Sequence, residues 1–100
     1  MMVKVGKTSD FVEGRLKGVE VNGRLLVIGR YKGELNAMDG HCSHMGYELT
    51  KGKFIGGVVT CPLHGAEFEL KSGKKLMHAG AKDLRVYPVL VKGEDVLLEL

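Results

Sequence analysis

Cys42-Ser43-His44 and Cys61-Pro62-Leu63-His64 hold the only two cysteines of this 100-residue chain, and each cysteine has a histidine beside it. Written as spacing, the pattern is C-x-H, then the sixteen residues from Met45 to Thr60, then C-x-x-H. Thiolate and neutral imidazole are both metal ligands, and two loops that each supply one of each can converge on a single centre. Three chemistries compete for this set. Two reduced structural cysteines with unrelated histidines would leave the twin pairing unexplained. A tetrahedral zinc site takes two Cys and two His, but zinc motifs pair like with like, cysteine near cysteine and histidine near histidine. The third is a cluster of two irons with cysteines on one iron and histidines on the other.

Such ligands need rigid loops and strands that deliver them. Gly40 and Gly46 flank the first pair, while Pro62 and Gly65 shape the second. The β-branched run ahead of Cys61 reads as a strand that ends at the ligand, and a strand excursion between the loops would bring them side by side. The rest of the chain is punctuated by glycine-bearing turns. Asn22-Gly23 between apolar runs is a strong hairpin signal, because its turn needs positive φ at both central residues. Tyr31–Glu34, Lys71–Lys74 and Lys92–Asp95 predict further hairpin turns. Between them, the runs at Leu25–Tyr31, Gly57–Cys61, Ala66–Leu70, Leu84–Val91 and Asp95–Leu100 are apolar and β-branched, with partial alternation. His78–Leu84 is too short and glycine-broken for a helix. An all-β antiparallel sandwich or barrel follows, as one domain over 1–100, with ligand loops around 40–49 and 60–68 forming a small subdomain.

Composition narrows the function. Apolar residues at 44% exclude a disordered chain. No apolar run is long enough to span a membrane, and the N-terminal stretch does not read as a secretory leader. A cytoplasmic monomer is the expectation. The net charge of +3 is mild and the lysines are scattered, which argues against nucleic-acid binding. The chain has no Gln and only Asn22 and Asn36, a usage found in thermophiles.

The two-box pattern, with "CPLHG" as its second half, closely resembles the Rieske ferredoxin family. The resemblance extends through "GRLLVIGRYKGELNAMDGHCSH", "GYELTKG", "AEFELKSGKKL" and "LRVYPVLVKGEDVLLEL", nearly the whole chain. It implies one Rieske-type [2Fe–2S] cluster per chain, with Cys42 and Cys61 on one iron and His44 and His64 on the other. It also implies a soluble one-electron carrier between a ferredoxin reductase and a terminal oxygenase or another oxidoreductase, met in transient contacts. No enzyme is expected, because an oxygenase would need a second iron on further histidines, and only His41 and His78 remain. The alternatives are the small subunit of a larger oxidoreductase, of the nitrite-reductase type, and a structural zinc module.

Departures from the family pattern carry their own expectations. Ser43 stands where many members have proline, which predicts a slightly looser first loop, and the lack of a loop disulfide predicts loops held by backbone amides alone. High-potential members carry an extra cysteine in each loop, and a serine and a tyrosine that donate hydrogen bonds to the sulfurs. This chain has no spare cysteine and places Ala66 and Phe68 at those two positions. Its potential is therefore expected at the low end of the Rieske range, roughly −150 mV. Of the remaining residues, His41 is expected near the cluster, His78 on the surface, and Met45, Tyr47 and Leu63 around the ligand loops. Met38, Leu49 and Phe68 read as core.

Overall fold

The hairpin turns are set by residues that tolerate positive φ. Asn22 and Gly23 have φ of 51° and 77°, and Lys32 and Gly33 have 51° and 79°, the two-position pattern of a type I′ turn. Gly73 at 73° and Gly93 at 59° serve the other two predicted turns. In this computed structural model, which describes residues 1–43, 46–63, 65–77 and 80–100, eleven strands form three antiparallel sheets among the described residues. The strands are β1 (Met2–Lys7), β2 (Leu16–Val21), β3 (Arg24–Tyr31), β4 (Glu34–Asp39), β5 (Lys53–Ile55), β6 (Val58–Thr60), β7 (Glu67–Glu69), β8 (Lys75–Met77), β9 (Val86–Tyr87), β10 (Val89–Lys92) and β11 (Asp95–Glu99). One sheet has the order β1-β11-β10, a central one β2-β3-β4-β9, and the third β5-β6-β7-β8. Among the described residues, no helix is long and apolar enough to cross a membrane.

The middle strands of the central sheet, β3 and β4, are buried on both faces, and strand alternation divides their side chains. Leu26 and Ile28 of β3, with Ala37 of β4, face a core shared with Phe11, Val96 and Leu98. Val27 and Met38 face the opposite way, into a second core that holds Cys42, Leu49, Cys61 and Phe68. Met38, Leu49 and Phe68 are fully buried, as their sequence context predicts.

The expected strand Leu84–Val91 is two strands in two sheets. Pro88 has no N–H to give a ladder and sits at the break; β9 pairs with β4, and β10 with β11. This crossover leaves the segment before β9 running beside the first cysteine loop. Asp39 N–H donates to the Arg85 carbonyl at 2.9 Å, and the Leu84 N–H donates to the Gly73 carbonyl at 2.7 Å. Gly73 is required at that second contact, since an added Cβ would lie 2.0 Å from the Leu84 carbonyl oxygen.

Tyr87 closes the junction of β9 and β4, its Oη donating to Asp39 Oδ1 at 2.6 Å. Burial raises the Tyr87 pKa above the usual 10.0, and the Asp39 hydrogen bond and charge push the same way against Arg24 and Arg85. Folding therefore favours the neutral phenol. That contribution is complete below the unfolded value near 10 and is lost as pH rises through the folded value. Tyr87→Phe should cost about 1 kcal/mol at neutral pH. In denaturant melts the gap to wild type should close at alkaline pH; a constant gap would contradict the assignment.

Candidate metal centre

The first ligand loop is a hairpin that narrows onto Cys42. Gly40 donates its N–H to the Leu25 carbonyl at 2.9 Å, and its own carbonyl accepts from the Leu49 N–H at 2.8 Å. One step inward, His41 bridges Glu48. One further step in, the Cys42 N–H donates to the Tyr47 carbonyl at 2.8 Å, and the Gly46 N–H donates to the Cys42 carbonyl at 2.7 Å. Gly40 has to be glycine for proximity: a Cβ there would lie 2.7 Å from Leu25 Cγ and 2.9 Å from its carbonyl oxygen.

The second loop repeats the same clamp. The Cys61 N–H donates to the Ala66 carbonyl at 2.7 Å, and the Gly65 N–H donates to the Cys61 carbonyl at 3.0 Å. In both loops the cysteine N–H reaches the carbonyl five residues on, while its carbonyl accepts from the glycine four residues on. Gly46 and Gly65 have φ of 69° and 72°, a region that disfavours any residue with a Cβ. The two glycines are thus needed for the turn itself. The shared C-x-x-x-G spacing is visible in the sequence and marks the two loops as one backbone design, with the histidine one position later in the second.

Cys42 and Cys61 are free thiols, exposed by 2% and 1%, in one apolar core with Val59, Ala66, Phe68 and Leu84. A thiolate in such surroundings is costly without a cation to neutralise it. Two buried, fixed sulfur donors with nothing else to do are what a metal centre with sulfur ligands requires. His44 and His64, the other expected ligands, lie outside the described residues, as do Met45 and His78. Among the described residues no group of three or more His, Cys, Asp or Glu is placed to hold a metal, and of the four expected ligands only Cys42 and Cys61 are described. His41 is exposed, Tyr47 packs against the cysteine core, and Leu63 is 46% exposed on the second loop. Ala66 and Phe68 are fully buried.

Ser43 corrects one expectation. It ties the first loop down rather than loosening it: its Oγ donates to the Lys82 carbonyl at 2.5 Å and accepts from the Lys82 N–H at 2.8 Å. The loop is therefore held by a side chain as well as by backbone amides. The partner is 39 residues away, which no local pattern could reveal.

Comparison with known proteins places the chain in a family that carries an iron–sulfur cofactor. The family model of the Rieske [2Fe-2S] domain matches residues 1–88. The ferredoxin component of the naphthalene 1,2-dioxygenase/salicylate 5-hydroxylase systems of Ralstonia sp. is 34% identical over 91 residues, which is 91% of this chain and 88% of that protein. A chain in the solved complex of reduced oxygenase and oxidized ferredoxin in carbazole 1,9a-dioxygenase superposes with a TM-score of 0.91 at 28% identity, covering 97% of this chain and 91% of that one. The structure of a nitrite reductase NADPH small subunit shares the fold, with a TM-score of 0.84 at 23% identity over 100% of this chain and 99% of that one.

Proposed function

This chain belongs to the Rieske [2Fe–2S] domain family, and from that membership we propose that it is a one-electron carrier which takes an electron from a reductase and delivers it to a terminal oxygenase. Its cofactor is a Rieske-type [2Fe–2S] cluster. In our reading Cys42 and Cys61 hold one iron, and His44 and His64 hold the other. The cluster supplies a centre that gains and loses one electron. The chain supplies two matched loops that hold the sulfur ligands still, and an apolar core that keeps water from their buried side. The observation that carries the reading is the pair of identical clamps around two buried free thiols.

The carrier is read as one domain over residues 1–100, because both cores share the central sheet. We place it in the cytoplasm, which suits a small carrier whose two cysteines are read as cluster ligands and not as a disulfide. The carrier acts by transient contact and is not itself a catalyst; the exposed Leu63 gives the second loop an apolar tip for that contact. The relatives named as ferredoxin components of dioxygenase systems favour this role over a subunit fixed in a larger enzyme. Coulometric titration of the purified protein should show uptake of one electron per chain, and the reduced protein should pass it to a soluble one-electron acceptor. Uptake of no electrons, or recovery only within a stable heteromer, would overturn the carrier role.

A further inference from the structure

The segment from Ala81 to Arg85 has no regular structure, yet it is tied to the first ligand loop, to β4, to β8 and to the turn at Gly73. Ser43 Oγ grips both backbone groups of Lys82 at 2.5 and 2.8 Å. Asp83 Oδ1 accepts the Lys75 N–H at 2.9 Å, the Leu84 N–H reaches Gly73, and the Arg85 carbonyl accepts from Asp39. Between these ties, Ala81 and Leu84 are 4% and 8% exposed and pack in the same core as Cys42 and Cys61. The segment is a strap across that core. Among the described residues, the Ser43 clasp is the tie that joins it directly to a ligand loop.

We propose that Ser43 is a positioning residue: through Lys82 it holds the strap closed over the cysteine side of the centre and so sets the reduction potential. This rests on the cluster assignment above. The Ser43 hydroxyl is committed to the Lys82 backbone, so it acts through the strap and not on the sulfurs. Reduction adds one negative charge to the centre, and water that reaches it favours the reduced form. Releasing the strap admits water and raises the potential.

The test uses the cluster-loaded protein and compares Ser43→Ala with Ser43→Thr, which keeps the hydroxyl. Two readouts are needed: the midpoint potential by voltammetry, and hydrogen exchange of the Lys82 amide by NMR or mass spectrometry. Ser43→Ala should shift the potential upward and speed Lys82 exchange about tenfold, the loss expected for one amide hydrogen bond. Ser43→Thr should restore both. If Ser43→Ala does not fold, Lys82→Pro removes the N–H donor and its ring displaces the Ser43 hydroxyl, which breaks the clasp from the other side and should shift the potential in the same direction. An unmoved potential in Ser43→Ala, or equal shifts in the Ala and Thr variants, would overturn the inference. A wild-type protein with no cluster signal would bring down the carrier reading and this inference together, whereas an intact signal that Ser43→Ala leaves unmoved brings down this inference alone.

Discussion

Cys61→Ser should purify colourless, with iron content close to zero and no absorption from iron–sulfur charge transfer. Cys61 is held at both backbone groups, to Ala66 and Gly65, and its side chain is 1% exposed. No other sulfur on that loop can take its place, because the chain has only two cysteines. Serine keeps the size and removes the soft thiolate that the cluster needs. The effect should be local. The core formed by Phe11, Leu26, Ile28, Val96 and Leu98 contains neither cysteine, so amides of β3 and β11 should stay protected from exchange. Protection should fall at Val59 and Phe68, which pack in the cysteine core. Full iron retention by Cys61→Ser would show that Cys61 is no ligand, while global unfolding would show that the two cores are not separable.

Ala66→Ser should raise the midpoint potential without displacing the cluster. Ala66 is fully buried, packs in the core of both cysteines, and accepts the Cys61 N–H through its carbonyl. A hydroxyl added at its Cβ is therefore introduced next to the centre and away from water. A donor to a sulfur gains strength when the cluster becomes more negative, so it stabilises the reduced state. A hydrogen bond contributes about 0.5–1.5 kcal/mol to a neutral acceptor and about 1.5–3 kcal/mol to a charged one; only the difference, about 1–1.5 kcal/mol, enters the potential, and at about 59 mV per tenfold change in a one-electron equilibrium that is on the order of 40–65 mV upward. Phe68→Tyr is the less informative companion. Its ring is fully buried opposite Val59, and an added oxygen must first find space in that packing. An unchanged or lower potential in Ala66→Ser would show that a donor at this position does not set the potential.

Much of this molecule is legible in sequence where a single residue dictates a backbone state. The turns at Asn22-Gly23, Lys32-Gly33, Gly73 and Gly93 are foreseeable because few residues tolerate positive φ. The all-β class follows from the apolar runs between them, and the cysteine and histidine pairs point to the [2Fe–2S] cofactor that family membership supports, with those four residues proposed as its ligands. The parts that escape are those with distant partners. β1 pairs with β11 at the other end of the chain, so nothing local marks it. The run through Pro88 looks like one strand, yet its halves enter different sheets because proline interrupts the ladder. Ser43 reads as a small loop residue until Lys82 is brought against it.

Both predictions above depend on mixed cysteine and histidine ligation of two irons. The most direct measurement is an EPR spectrum of the freshly purified, dithionite-reduced protein together with its metal content. The account predicts a rhombic signal, with an average g below that of an all-cysteine [2Fe–2S] cluster, and two irons per chain. A colourless, EPR-silent protein that binds one zinc per chain after iron-replete expression would contradict it, and the two clamped loops would then hold a structural metal.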